Sequence, residues 1–202
     1  MAGMLPVVIL IPAAGASRRM RDRDKLLEEV QREPILRRVA RLALQSGEQV
    51  VVTLPDHSAL APARRAALAG LPVWILPITD ADEGMAASLR AGAAAAGAAA
   101  GLMVLLPDMP DIDASDINLL LSEFMKAPTR PLRAATSEDI AGHPVILPQR
   151  LYARIATLVG DAGARSILED EPVTLVRLSG HRAVKDLDTP EDWARWHNER
   201  PH

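Results

Sequence analysis

Cysteine is absent from this 202-residue sequence, and its absence excludes disulfides, thiolate metal sites and a cysteine nucleophile. Long apolar runs are also missing. The longest are the seven residues 5–11 and an alanine/glycine tract, and both are too weak for a membrane span. No basic region precedes the first apolar run, so the N-terminus does not have the pattern of a signal peptide. From these absences we expect a cytoplasmic protein.

Charge of one sign is not in excess either. The 23 lysines and arginines nearly balance the 26 aspartates and glutamates, which leaves a net charge of −3. This balance gives no reason to expect a nucleic-acid partner. Because 202 residues can bury a full core and no linker or repeat interrupts the chain, we expect one domain over residues 1–202.

The first half of the chain alternates apolar runs with segments of helical periodicity. The predicted strands are residues 5–11, 49–54, 72–76 and 102–106. The predicted helices are residues 34–46, 58–69 and 84–100. Continuous apolar strands separated by helices are typical of a parallel sheet covered on both faces. We therefore expect a doubly wound α/β fold, in which ligands bind beyond the carboxyl ends of the strands.

The second half is less regular. Its predicted helices are residues 114–126, 148–158, 162–169 and a last one starting near Thr189-Pro190. Its predicted strands are residues 132–136, 143–147, 173–178 and 183–187, the first two as a possible hairpin.

A loop of small residues follows the first apolar run. Residues 12–17 (PAAGAS) lead directly into the cations Arg18, Arg19, Arg21, Arg23 and Lys25. Small residues let backbone amides approach phosphates, and cations neutralise them, so this pattern predicts a polyphosphate site. An ordinary turn followed by a solvated basic loop is the alternative.

Three aspartates follow predicted strands. Asp108 directly follows the most apolar predicted strand, and Asp186 and Asp188 follow another. Mg²⁺ prefers one or two carboxylates together with phosphate oxygens and water, so these residues are candidate metal ligands. The alternative is structural, because aspartate also caps turns and helices.

Seven motifs, in this order, resemble those of the MobA-like nucleotidyltransferases. They are PAAGASRRM, DKLL, EGMAASLRAG, PDMP, GHPVILP, GDAGAR and DLDTPED, spread from about Val7 to Trp193. The closest match by motif is to the molybdenum cofactor cytidylyltransferase branch. The resemblance implies a Rossmann-like, three-layer nucleotide-diphospho-sugar transferase (GT-A-like) fold with a mostly parallel central sheet. It also implies a nucleotide-binding half at about 5–110 and an acceptor-binding half at about 111–202.

The resemblance further implies roles for individual residues. Those expected to line the nucleotide are Ala13, Ala14, Gly15, Ala16, Ser17, Gly84, Met85 and Ser88. The catalytic residues are Arg19 on the β/γ-phosphates, Lys25 on the α-phosphate, and Asp108. Asp108 with Asp186 or Asp188 would hold Mg²⁺, with Mn²⁺ as the alternative ion. The acceptor-binding residues are Gly142, His143, Pro144, Asp161 and Arg165. Arg21 and Asp22 depart from the pattern, since family members commonly have a glycine soon after Arg-Met.

The implied reaction transfers CMP from CTP to the terminal phosphate of molybdopterin or molybdenum cofactor, with release of pyrophosphate. The methyl group of Ala14 favours CTP over GTP, because it leaves less room for a purine. The alternatives are GTP as donor, another phosphorylated acceptor, and a non-catalytic chaperone that binds the pterin cofactor. A recipient molybdoenzyme of the xanthine dehydrogenase type is a further expected partner. A dinucleotide-binding oxidoreductase is disfavoured, since no G-x-G-x-x-G follows the first strand.

One histidine and the three tryptophans have either structural or functional roles. His143 is either a structural histidine or a catalytic one, and phosphoryl transfer favours the structural role because proton transfer is not its main problem. Trp74, Trp193 and Trp196 are expected to be packing residues.

Overall fold

The computed structural model of the chain describes residues 6–21, 23–160 and 163–199. Its strands are β1 (Val7–Pro12), β2 (Glu29–Val30), β3 (Glu33–Pro34), β4 (Gln49–Pro55), β5 (Trp74–Ile78), β6 (Gly101–Val104), β7 (Leu132–Ala135), β8 (Ala141–Pro148) and β9 (Thr174–Arg177). Its helices are α1 (Ile35–Leu44), α2 (Ala61–Ala67), α3 (Met85–Ala96), α4 (Ala114–Lys126), α5 (Tyr152–Ile155), α6 (Ala164–Leu168) and α7 (Pro190–Asn198). None of the helices in these ranges combines the length and apolar character that a membrane crossing requires.

A seven-stranded sheet in the order β5-β4-β1-β6-β8-β7-β9 forms the centre of the molecule. Strand β1 pairs in parallel with both β4 and β6, and β4 pairs in parallel with β5. Strand β8 runs antiparallel to its neighbours β6 and β7, and β9 is parallel to β7. The predicted α/β fold with a mostly parallel central sheet is confirmed.

Both faces of the sheet are covered by apolar layers. Every residue of β1 is buried, and its side chains alternate between the two layers. Ile9 and Ile11 pack in the layer that contains α1, α4 and α7, whereas Val8 and Leu10 pack in the layer that contains α3, α5 and α6. Burial on both sides explains why the strand is a continuous apolar run.

Helix boundaries follow the local signals in the sequence. Helix α4 begins after Asp113 and α7 after Thr189, and each cap forms a reciprocal capping box with the residue three positions on. Helix α3 is shorter than the predicted 84–100, because Gly97 adopts a φ of +56° directly after Ala96.

The predicted strand at 183–187 is wrong. This segment crosses the strand ends instead of pairing along one of them. The carbonyl of Ala183 accepts a hydrogen bond from the His143 amide (2.8 Å), and the Leu187 amide donates to the carbonyl of Asp108 (3.0 Å). Asp186 and Asp188 therefore reach the edge of the sheet from an irregular segment and not from a strand end.

Two of the three tryptophans pack as predicted. Trp193 and Trp196 are buried and meet edge to face, with ring centroids 6.3 Å apart. The prediction for Trp74 is wrong, since its side chain is 47% exposed. Trp74 lies on β5, which is an edge strand of the sheet.

Gly142 allows two backbone segments to approach closely, and this contact is testable. A Cβ atom added at Gly142 would lie 1.8 Å from the Ala183 carbonyl oxygen, so one segment would have to move. We expect Gly142→Ala to lower the free energy of unfolding by about 3 kcal/mol, measured by chemical denaturation.

Gly163→Ala is the matched control. Among the described residues its Cβ would meet the Met85 side chain alone, at 3.9 Å, so a change within about 0.5 kcal/mol is expected. Equal stabilities for the two variants would contradict the close approach at Gly142.

Candidate active site

A cleft of about 690 Å³ opens at the carboxyl ends of β1 and β6. It brings together twelve of the residues expected from the sequence, which are Ala14, Gly15, Ala16, Ser17, Arg19, Lys25, Gly84, Met85, Ser88, Asp108, Asp186 and Asp188. These residues come from the loop after β1, the start of α3, the loop after β6 and the crossing segment before α7. The cleft is therefore the candidate active site.

The loop after β1 is fixed at both of its ends. At the first end, Ala13 is fully buried and its amide donates to the carbonyl of Thr53 on β4 (3.0 Å). At the other end, Ser17 adopts a left-handed conformation and a short 3₁₀ turn buries Met20. Ala13 thus supports the loop from below and does not line the cleft, whereas the next four residues do.

Arg64 of α2 is a residue of this region that the sequence did not reveal. It is fully buried. Its guanidinium donates to both carboxylate oxygens of Asp24 (2.7 and 2.9 Å) and to the carbonyls of Ala13 and Gly15 (both 2.7 Å). The only local signal was a cation in an otherwise ordinary helix, so its position depends on tertiary structure.

Lys25 is the charged centre of the cleft. Its ammonium donates to Asp108 (2.6 Å) and to Asp188 (2.7 Å), while Arg19 approaches the second oxygen of Asp188 (2.9 Å). Burial opposes the charged form of Lys25, but the two carboxylates outweigh it and raise the pKa of Lys25 above its ordinary value. The lysine is therefore a stable cation at neutral pH.

The carboxylates of the cleft have capacity for one more cation. The Oδ1 atom of Asp108 is buried and has no hydrogen-bond partner within the part of the chain that the structure describes. Burial, together with the charges of Asp108 and Asp188, raises the pKa of Asp186. No group of three or more acidic or histidine side chains in residues 6–21, 23–160 and 163–199 is arranged to hold a metal by itself. This arrangement fits an ion shared between the protein and a phosphate ligand.

Helix α3 directs its N-terminus towards the cleft. Gly84, with a φ of +83°, turns the chain into the helix, and Met85 and Ser88 line the cleft. The Ser88 hydroxyl also accepts a hydrogen bond from Thr53 (3.0 Å), which ties the helix to β4. The positive end of the helix dipole thereby adds to the field of the cations.

A second cavity, of about 220 Å³, adjoins the cleft and shares Met85 and Leu106 with it. Apolar side chains form most of its wall, and three basic side chains complete it, namely Arg133, His143 and Arg165. His143 and Arg165 are acceptor-binding residues of the sequence analysis, whereas Arg133 of β7 was missed. Burial and the nearby charge of Arg165 lower the pKa of Arg133, so an anion would be favoured there.

Two further expected acceptor residues, Gly142 and Pro144, do not line either cavity. Gly142 is buried under Ala183, and Pro144 is buried within β8 after a cis peptide bond. Asp161 lies outside the described residues.

Arg21 stands where the resemblance leads one to expect a glycine. Its backbone adopts φ +60° and ψ −118°, a conformation that glycine favours, and its side chain pairs with Glu191 (2.8 Å). The backbone conformation of a glycine is thus present although the glycine is not. Asp22 lies outside the described residues.

A family model described as a MobA-like NTP transferase domain matches residues 9–178, which is most of the chain. The chain belongs to the MobA-like NTP transferase family. It is therefore a nucleotidyltransferase by class, as its motifs implied, and the expected nucleotide-diphospho-sugar transferase fold is confirmed.

Two relatives show the range of this family. The chain is 32% identical over 201 residues to nicotine blue oxidoreductase of Paenarthrobacter nicotinovorans, covering 95% of this chain and 97% of the relative. It is 29% identical over 195 residues to molybdenum cofactor guanylyltransferase of Pseudomonas paraeruginosa, covering 95% of each. Relatives that match nearly the whole chain are thus named for two reaction classes, one an oxidoreductase and the other a guanylyltransferase.

Solved structures of Rv0371c from Mycobacterium tuberculosis H37Rv are similar to this MobA-like chain throughout. One has 26% identity and a TM-score of 0.82, covering 95% of this chain and 97% of the other. A complex of Rv0371c with manganese has 23% identity and a TM-score of 0.79, covering 96% and 100% of the two chains.

His143 gives the site a testable pH dependence. Burial, aided by the charge of Arg133 and opposed by that of Asp108, lowers the pKa of His143 from 6.5 to about 4. As the pH falls through 6.5, the unfolded chain binds a proton at this residue and the folded chain does not. The folded state therefore loses stability between pH 6.5 and pH 4, by about 3 kcal/mol, and is unaffected above that window.

Unfolding free energies of the wild type and His143→Gln at pH 7.5 and 4.5 measure this effect. The variant should lose less stability than the wild type on acidification. His181→Gln, which removes an exposed histidine, serves as control and should follow the wild type. A wild type and His143→Gln that lose equal stability would contradict a buried neutral histidine.

Proposed function

We propose that this chain transfers CMP from CTP to the terminal phosphate of molybdopterin or molybdenum cofactor and releases pyrophosphate. The observation that carries this function is the Lys25 ammonium between Asp108 and Asp188, in the same cleft as the small-residue loop. The name of the guanylyltransferase relative supports the acceptor, and the Arg133–Arg165 cavity supports an anionic one.

The chemistry requires alignment and charge neutralisation more than proton transfer. The attacking phosphate oxygen is already an anion, so it needs no strong base. It must instead approach the α-phosphorus of the nucleotide against electrostatic repulsion. Lys25 is assigned to the α-phosphate and Arg19 to the β/γ-phosphates, where their charges stabilise the transition state and the leaving pyrophosphate. Burial of Lys25 strengthens this effect, because the local dielectric is low.

A divalent ion is part of the proposed reaction. The Oδ1 atom of Asp108, buried and without a partner among the described residues, fits one bond to such an ion, and Asp186 or Asp188 is assigned the second. Mg²⁺ is the proposed ion and Mn²⁺ the alternative, for which the manganese complex of Rv0371c gives support. When bound, the ion would neutralise negative charge on the phosphates.

The acceptor is assigned to the second cavity. Its apolar wall suits a flat ring system, and the guanidinium groups of Arg133 and Arg165 suit an anionic substituent. His143 is neutral at physiological pH and contributes hydrogen bonding, not charge. Delivery of the product to a molybdoenzyme of the xanthine dehydrogenase type is the proposed next step.

CTP is the proposed donor because of Ala14. Ala14 lines the cleft and packs in a small apolar cluster with Ile78 and Ala87. In this proposal its methyl group leaves less room for the base than a glycine would. A pyrimidine fits this narrower site better than a purine. GTP, another phosphorylated acceptor and a pterin-binding chaperone without turnover are the remaining alternatives.

Pyrophosphate release tests the donor and the acceptor in one assay. The protein is mixed with Mg²⁺, molybdopterin and each nucleoside triphosphate in turn, and kcat/KM is measured for each. CTP should give the highest kcat/KM, and Ala14→Gly should increase the use of GTP relative to CTP. A preference for GTP in the wild type would overturn the choice of base, and pterin binding without pyrophosphate release would indicate a chaperone.

Lys25→Ala and Asp108→Ala test the assignment of the reacting centre. Each should lower kcat by about a hundred- to a thousandfold, or roughly 3–4 kcal/mol of barrier, because each removes a preorganised electrostatic contact. Lys126→Ala is the control, since Lys126 pairs with Glu123 on the surface of α4 (2.6 Å) and does not line the cleft. Normal turnover by either site variant would refute its place in the reaction, and melting curves exclude unfolding as the cause.

A further inference from the structure

Arg64 is a fully buried cation that no substrate can reach, yet it lies directly behind the phosphate loop, residues 13–17. Burying an arginine is costly unless its charge is paired and its donors are satisfied. Asp24 supplies the charge through two hydrogen bonds, and the loop supplies the remaining acceptors. Those acceptors are the carbonyls of Ala13 and Gly15 (2.7 Å each) and the hydroxyl of Ser17 (3.0 Å).

The hydrogen bonds from Arg64 to the carbonyls of Ala13 and Gly15 determine the orientation of the loop amides. In a trans peptide, the carbonyl of one residue and the N–H of the next point in opposite directions. Since the carbonyls of Ala13 and Gly15 point to Arg64, the amides of Ala14 and Ala16 point away from it. Within the described residues neither amide has a hydrogen-bond partner, and both residues line the cleft.

We propose that Arg64 is a positioning residue that turns the amides of Ala14 and Ala16 into the cleft as phosphate donors, a role that rests on the proposed function above. Because Arg64 is fully buried, it is not expected to contact the nucleotide itself. Arg64 acts through the backbone, by holding the peptide planes from behind. The cradle is therefore formed before the ligand arrives, which saves the reorganisation that a flexible loop would require.

The same ion pair also positions Lys25. Asp24 accepts a hydrogen bond from the Leu26 amide (3.1 Å) and so caps the 3₁₀ turn that starts at Lys25. One buried pair thereby holds both the loop and the turn that carries the lysine. Burial acts to raise the pKa of Asp24, but the hydrogen bonds and charge of Arg64 lower it below its ordinary value, which keeps the pair ionised.

Arg64→Lys separates positioning from charge. Lysine keeps the positive charge but lacks the planar fork that reaches Asp24 and two carbonyls at once. With Mg²⁺ present, we expect the variant to bind inorganic tripolyphosphate roughly ten- to a hundredfold more weakly than the wild type, measured by calorimetry. The KM for the nucleotide should rise, and the KM for the acceptor should not.

Arg37→Lys is the matched control, because Arg37 also donates to two backbone carbonyls, those of Ala67 and Ala69 (2.9 Å each), at the C-terminal end of α2 and away from the cleft. This variant should bind tripolyphosphate as the wild type does, whatever its melting temperature. Equal tripolyphosphate affinity in folded Arg64→Lys and in the wild type would overturn the positioning role.

The wild type provides a second measurement that does not depend on folding of the variant. Addition of tripolyphosphate should shift the amide ¹H resonances of Ala14 and Ala16 downfield and leave that of Ala13 unchanged, since Ala13 is bonded to Thr53. Binding without these shifts would overturn the role of Arg64. A wild type that binds neither tripolyphosphate nor any nucleoside triphosphate would instead refute the proposed function.

Discussion

The contact of Lys25 with Asp108 and Asp188 is the interaction on which the cleft depends, because it joins three distant parts of the chain. The lysine comes from the turn after β1, Asp108 from the loop after β6, and Asp188 from the segment before α7. Without the ammonium between them, the two carboxylates would repel each other in a partly buried site. The cation therefore holds the cleft together in the absence of a ligand and is already in place when phosphates enter.

The segments that carry these charged groups are held in place by contacts on the buried side of the cleft. The parallel strands β1, β4 and β6 bring their carboxyl ends to one edge, where the loops after them meet. The Arg64–Asp24 pair fixes the loop after β1. The hydrogen bond from the Leu187 amide to the Asp108 carbonyl fixes the segment before α7. The segments that carry Lys25, Asp108 and Asp188 are thus each held by hydrogen bonds to other parts of the chain, which favours precise electrostatics over adaptability.

The sequence predicts local features of this protein well and tertiary ones poorly. The strands of the first half, the capped helices α4 and α7, and the loop after β1 have periodicity or end signals of their own. Arg64 has none, because a buried arginine on a short helix looks like a surface one until its partner is known. Trp74 was misplaced for the same reason, since only the strand order shows that β5 is at an edge. The segment 183–187 (AVKDL) is short and partly apolar like a strand, but its hydrogen bonds go to the ends of other elements.

Met85 and Leu106 form a wall that the cleft and the second cavity have in common. Methionine is unbranched and changes shape easily, so a ligand that moves Met85 on one side reshapes the other side as well. Occupancy of the two cavities is then thermodynamically linked. If the first ligand changes the affinity for the second by some factor, the second ligand changes the affinity for the first by the same factor.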